Sequence, residues 1–443
     1  MVSKSAIPRA SLFIMAVACT LVSACVAKEA ARPKPMLDVA MFGRAKSEPV
    51  RATLPPPVAA SKPPTVPKPV RTQSDDPLRD IEDWVRSSVV RALGKDETPP
   101  GLDRGLDVAC RHTSRALVDG GTMDGAASHL RMQLQSEQIT DVSYYPFTIE
   151  MAFTEDPTPW VEFVRAESQG RGVTQVGVGA VAKGPDTALV TIVLLRRLLT
   201  LSAFPREVEP NTTHLLWAKP TGPMIKNPHA VVWSPSGMIR DIAVKPSGMS
   251  VEIPITFDDG HGRYVVQILA EDIHGQQVTN QLDVWVGQPA MRVESAAILP
   301  MEPAGDPRTE EKKMMEMLNH FRKANGLKPL VFDPILQASA LRHSTDMRDG
   351  RFFGHRSPKF GDLRQRTPRS GTTVPELLLE NIAVSAAVSW AHDGLTNSPS
   401  HRRNLLDPDI TSVGIGIAVR NGSRMQIVYV TQHLGRWPRQ AKD

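Results

Sequence analysis

The stretch Asn397-Ser-Pro-Ser-His-Arg-Arg-Asn-Leu-Leu-Asp-Pro-Asp-Ile-Thr-Ser-Val-Gly-Ile-Gly416, with Glu380-Asn-Ile-Ala383 upstream, organises the last third of the chain. Ser398 before Pro399 predicts a helix start, because the hydroxyl can cap an orphan N–H and the fixed φ of proline suits the first helical position. His401 then sits in the first turn of a short helix that ends near Leu406. Asp407-Pro408 breaks that helix, and the apolar run from Val413 reads as a strand. A histidine held at a helix start beside a strand, with Glu380 upstream, reads as part of a site.

Working outward, 443 residues exceed one core, and about three domains is the expectation. The 52 basic and 47 acidic residues are interspersed, and a net charge of +5 is modest for this length, which argues against nucleic acid as a partner. Lys4 and Arg9 precede an apolar run, Ser11 to Leu21, too short for a stable span. The run ends Val22-Ser-Ala-Cys25, which resembles a bacterial lipoprotein signal. That resemblance implies a leader over 1–24, cleavage before Cys25 and a membrane anchor through its lipidated thiol, outside the cytoplasm, on the periplasmic side or the cell surface. Several acyl chains anchor stably where one does not. With Cys19 lost and Cys25 acylated, Cys110 is alone in the mature chain, so no intramolecular disulfide forms.

Residues 25–76 are rich in Pro, Ala, Lys and Val and read as an extended tether. Over 77–203 helical stripes come first (Ile81, Trp84, Val85, Val89; Leu106, Ala109, Leu117) and strand-like runs follow, Val173 to Ala182 and Ala188 to Leu195, an α+β order. Over 204–292 short runs such as Ala230-Val-Val-Trp233 and Arg263-Tyr-Val-Val-Gln-Ile-Leu269 recur between Gly-containing turns and predict an all-β sandwich. The phrases Gly262-Arg-Tyr-Val-Val-Gln-Ile, Asp272-Ile-His-Gly and Val284-Trp-Val-Gly resemble immunoglobulin-like bacterial domains. Over 305–440 the stripes Met314, Met317, Leu318, Phe321 and Ile335, Ala338, Leu341, Met347 predict two helices.

Two segments echo each other. Val173-Thr-Gln-Val-Gly-Val-Gly-Ala matches Ile410-Thr-Ser-Val-Gly-Ile-Gly-Ile, each is followed by a second strand, and each is preceded by a helix with a histidine, His112 and His343. Two copies of one fold flanking the sandwich is the economical reading. Counting back from the shared Val-Gly, His401 falls on Val164, so the first copy is expected to lack the site.

The C-terminal region resembles the CAP superfamily (cysteine-rich secretory proteins, antigen 5 and pathogenesis-related 1 proteins) in its bacterial form. The residues that carry this are Leu318-Asn-x-x-Arg-x-x-x-Gly-Leu-x-Pro-Leu, His343-Ser-x-x-Met, Phe353-Gly-His-Arg-Ser-Pro, Glu380-Asn-Ile-Ala, Ser398-Pro-Ser-His-Arg-Arg-Asn-Leu-Leu, Val413-Gly-Ile-Gly and Tyr429-Val-Thr-Gln. The resemblance implies an α-β-α sandwich with a central cleft carrying two histidines and two glutamates. His355 and His401 match the histidines and Glu380 the first glutamate, while the place of the second falls near Asn397 or Ser398.

Two imidazoles and a carboxylate can hold Zn²⁺ with an open position or act as acid–base partners near neutral pH. Three readings stay open. The triad lines a cleft that binds a lipid, a cell-wall glycan or a protein; or His355 and His401 hold zinc for a hydrolase, with Glu380 as ligand or general base; or the protein is structural, the histidines fastening loops and Glu380 capping a helix start. His343 reads as a packing residue, His392 and Asp393 as exposed, and His433 carries no motif. No Gly-x-Ser-x-Gly, His-Glu-x-x-His, Walker loop or Cys-x-x-Cys is present.

Overall fold

A computed structural model describes residues 76–95, 98–290, 304–367, 374–421 and 426–438, with the backbone of 21–26. The expected leader before position 21 and the tether from 27 to 75 lie outside the described residues. No described helix is long and apolar enough to cross a membrane.

The chain has mixed α and β content in three units. The N-terminal unit is a sheet with strand order Gly101–Leu102, Gln175–Ala182, Thr187–Leu195, Tyr144–Ala152. The C-terminal unit repeats that order in Val331–Phe332, Ser412–Asn421, Gln426–Arg436 and Leu377–Ser385. In both, the two-residue strand pairs in parallel and the longer strands antiparallel. The backbone of Leu21–Val26 adds antiparallel to the outer edge of Leu377–Ser385, with Cys25 opposite Glu380. Between the units, a five-stranded and a four-stranded sheet close over a core that includes Leu216, Ile253, Tyr264 and Val266. The strand Leu199–Leu201 belongs to this sandwich, pairing with Ala218–Pro220.

The same local chemistry builds both α+β units. Asp103 accepts from the N–H groups of Gly105 and Leu106, and Asp333 from those of Ile335 and Leu336, so each caps a long helix, Arg104–Val118 and Pro334–Gly350. Ser114 bonds the Gly179 carbonyl and the Thr191 hydroxyl, and Ser344 bonds the Gly416 carbonyl and the Thr431 hydroxyl. Helix side chains also satisfy the outer strand edge: Asp107 and Glu82 accept from Val178 and Ala180, as Gln337 and Glu311 accept from Ile415 and Ile417. Edge N–H groups are thereby blocked from pairing with another chain.

In the register that puts Asp333 on Asp103 and Ser344 on Ser114, His343 falls on buried Thr113, while His112 is exposed one position earlier. The two helix histidines are therefore not counterparts. Adjacent helix positions face about 100° apart, so a one-residue slip puts one imidazole in the core and the other in water.

Two elements escaped the sequence pattern, the edge strands Tyr144–Ala152 and Leu377–Ser385. Both are buried along nearly their whole length, so neither shows the alternation that marks a half-buried strand. The units also share a core, since Trp160, Val173 and Val176 cluster with Met347, Phe352, Ile382, Val384 and Tyr429. The ion pair Arg420–Glu167 (2.6 Å) adds to that junction, and Arg403–Asp241 (3.0 Å) ties the C-terminal unit to the sandwich.

Gly179 and Gly416 let the helices lie directly on the sheets. A Cβ at Gly416 would strike the backbone at Ala340–Leu341, and one at Gly179 the backbone at Cys110–Arg111. Overpacking costs about 1–3 kcal/mol. Gly416→Ala and Gly179→Ala are expected to lower stability by about that amount in urea denaturation, while Gly222→Ala, at a position with open space, stays near wild type. Equal behaviour of all three would contradict this packing.

Candidate functional site: a buried carboxylate cluster

Glu380 lies in the middle of the strand Leu377–Ser385, paired in register with His433 of the neighbouring strand, not at a helix start. Three side chains surround its carboxylate. His355 Nδ1 is 2.7 Å from Oε1, and His433 Nε2 is 2.7 Å from Oε2. The Arg366 guanidinium donates from Nη1 to Oε2 and from Nη2 to both oxygens, each at 2.9 Å. Arg366 Nη2 also donates to the His355 carbonyl at 2.6 Å, tying the loop that carries His355 to the sheet. Arg366 ends a one-turn helix, Leu363–Arg366, whose start is locked by a reciprocal capping box between Asp362 and Gln365.

Glu380 and His433 are fully buried, and Arg366 and His355 are 1% and 3% exposed. Burial pushes the Glu380 carboxyl up, but the Arg366 charge and the hydrogen bonds from His355 and His433 outweigh it and hold it well below the ordinary carboxylate range. Burial pushes the His433 imidazole down despite Glu380, so the ring is neutral and Nε2–H donates to the carboxylate. His343, beside the cluster, is driven down to about 3 by burial, and its Nε2–H donates to the Gly354 carbonyl at 3.0 Å. With Nδ1 of His355 spent on Glu380, its buried Nε2 has no partner among the described residues. In the neutral ring that atom is an acceptor.

His401 is fully buried in the helix Pro399–Leu405. Ser398 stands at the cap position with Pro399 after it, but its hydroxyl makes no cap bond and instead meets His401 Nδ1 at 2.6 Å. Gln267 of the sandwich donates to that hydroxyl at 2.7 Å and accepts from the Ser400 N–H at 3.1 Å. A hydroxyl thus supports His401 at the place where the resemblance would put a second glutamate that this sequence lacks. Asn404, on the same helix, donates to Asn381 Oδ1 at 3.0 Å and to the Glu380 carbonyl at 3.4 Å.

The structure therefore brings His355 and Glu380 into direct contact and places His401 on the adjoining helix, in a bonded set built with Ser398 and Gln267. Both Glu380 oxygens are already committed to Arg366 and two imidazoles, so the carboxylate has no free lone pair for a cation. Among the described residues no group of three or more His, Cys, Asp or Glu is placed to hold a metal ion. The residues as placed do not fit a zinc centre of His355, Glu380 and His401.

Arg366, His433 and Gln267 were not singled out from sequence. For His433 a signal exists: period-2 alternation puts it on the same strand face as Thr431. Arg366 and Gln267 come from other loops and another unit, which no local pattern joins to Glu380. His392, expected to be exposed, is half-buried with its ring edge-on to Phe321 at 6.2 Å.

Removing one member of a buried ion pair strands its partner's charge, at about 3–5 kcal/mol, whereas replacing both is far milder. Glu380→Gln and Arg366→Met are each expected to destabilise by that order in chemical denaturation, and the double variant by clearly less than their sum. Strict additivity would show that the two side chains do not depend on each other.

A family model for cysteine-rich secretory proteins (CAP) matches residues 315–434. The uncharacterized protein YkwD of Bacillus subtilis (strain 168) is 34% identical over 131 residues, 28% of this chain and 47% of YkwD. The uncharacterized membrane protein YlbC of the same organism is 35% identical over 110 residues, 25% of this chain and 32% of YlbC, so the chain spans less than half the length of either relative. A solved extracellular protein containing an SCP domain, from Bacillus anthracis str. Ames, aligns with 21% identity and a TM-score of 0.27, over 44% of this chain and 67% of that one. With the motifs quoted above, the family match makes the C-terminal unit a CAP domain of the cysteine-rich secretory protein family.

Proposed function

We propose that this chain is an extracytoplasmic protein, anchored through lipidated Cys25, whose CAP domain binds a ligand in a cleft at His355 and His401. The observation that carries the reading is the His355 ring, oriented by Glu380 and left with a buried, bare Nε2. A neutral imidazole in that state accepts a hydrogen bond, and a buried acceptor is costly to leave unmade. The ligand class it favours has hydroxyl or amide donors, a cell-wall glycan or a peptide, over a purely apolar lipid tail.

In this reading the N-terminal unit is a second copy of the CAP fold that has lost the site. The matching strand order and Ser–Gly–Thr contacts support it. Where the CAP domain pairs Glu380 with His433, the first copy pairs Pro146 with Val193. The immunoglobulin-like sandwich is both spacer and part of the site, since Gln267 supports Ser398. A metal-assisted hydrolase on the same residues would first have to pull Glu380 away from Arg366.

Co-sedimentation with purified cell-wall sacculi tests the binding. The wild-type protein is expected to pellet, and His355→Phe, assayed below its own melting temperature, to remain in solution. A wild-type protein that stays in solution, or a His355→Phe variant that pellets equally, would contradict it. For the anchor, Cys25→Ser is expected to move the protein from the detergent to the aqueous phase on Triton X-114 partition. A wild-type protein already in the aqueous phase would contradict lipidation.

A further inference from the structure

Where the two α+β units meet the sandwich lies a cavity of about 220 Å³, away from Glu380. Its lining includes four guanidiniums, Arg171, Arg196, Arg351 and Arg420, against one carboxylate, Glu167. Two of the four are neutralised locally. Arg420 pairs with Glu167 at 2.6 Å, and Arg196 with Asp272 at 2.5 Å. The other two pair with no carboxylate among the described residues. Arg171 donates from Nε to the Glu167 carbonyl at 2.7 Å and stacks 4.2 Å from the Tyr145 ring centroid. Arg351 donates to Gln169 Oε1 at 2.9 Å.

Arg171 is anchored at its guanidinium and Arg351 at its backbone, with Gln169 as the side-chain partner of Arg351. Stacking on Tyr145 fixes the plane of Arg171. Arg351 caps the helix Pro334–Gly350 in a left-handed backbone conformation (φ 51°), a position glycine ordinarily takes. Its carbonyl oxygen would lie 2.8 Å from a Cβ at Gly170, so the glycine lets the two units close around the cavity. Two cations with no carboxylate partner among the described residues, at the wall of a concave site, match an oxyanion, which guanidinium forks bind in a bidentate manner.

We propose that this inter-unit cavity binds a small ligand bearing a carboxylate or phosphate, bridging Arg171 of the first unit and Arg351 of the CAP domain. Its volume corresponds to roughly seven water molecules of liquid, enough for a phosphate group or one sugar ring. Tyr145, Tyr429 and Phe352 supply apolar wall for the body of the ligand.

The test is calorimetric titration of the full chain at fixed ionic strength with inorganic phosphate, glucuronic acid and, as the neutral control, glucose. Saturable binding of at least one anionic probe is expected, weakened about tenfold or more in Arg171→Gln and in Arg351→Gln, with none to glucose. Binding of phosphate alone identifies a phosphate ester or headgroup, and binding of glucuronic acid a carboxylated glycan. Because Arg351 is exposed at the mouth, its variant keeps the test open if Arg171→Gln fails to fold. No saturable binding of either anion, equal binding of glucose, or unchanged affinity in the variants overturns the proposal and leaves the arginines as bridges between units.

Discussion

The bidentate pair between Arg366 and Glu380 is the contact on which the CAP domain depends most. A carboxylate in the middle of a buried strand is tolerated only if its charge is answered in place. Arg366 answers it, and in doing so also holds the His355 carbonyl. The fully bonded carboxylate then fixes two imidazoles, so that His355 presents Nε2 and His433 stays neutral. The histidines are consequences of the ion pair. This also explains why the triad is a poor metal set, because an oxygen that stabilises Arg366 is unavailable to a cation.

The two α+β units show what the same framework does with and without that cluster. Caps at Asp103 and Asp333, serine bonds to Gly179 and Gly416, and side-chain acceptors on the outer strand serve both. None of these touches the Glu380 cluster, so the framework is indifferent to it. Pro146 and Val193 fill the corresponding space with apolar atoms. If the first unit is a CAP copy, as proposed, its remaining contribution is surface: the shared core around Trp160 and Met347, and the arginine-lined cavity that neither unit forms alone.

Much of this was legible in the sequence because it rests on local patterns. The Ser398-Pro399 start, the strand from Val413, the helices carrying Met314 and Met347, and the echo of Val-Gly-Val-Gly each follow from neighbours a few residues apart, although Ala338 and Leu341 of the expected stripe are exposed. Glu380, His355 and His401 were found through motifs. The misses share one cause, contacts between segments distant in the chain. Ser398 gives up its capping role because Gln267, 131 residues away, and His401 engage the hydroxyl. His433 gained its place from strand register, and Arg366 from a loop. The strands Tyr144–Ala152 and Leu377–Ser385 are covered on both faces and carry no alternation to read.

The central claim is that an ionised Glu380 orients both imidazoles, engaging Nδ1 of His355 and Nε2 of His433 and leaving His355 Nε2 without a partner among the described residues. Imidazole ¹⁵N NMR of the full chain measures this directly. The account predicts a proton on Nδ1 of His355 and on Nε2 of His433, with His433 titrating below the ordinary histidine range. A proton on His355 Nε2, or His433 titrating near the ordinary histidine value of about 6.5, would contradict it.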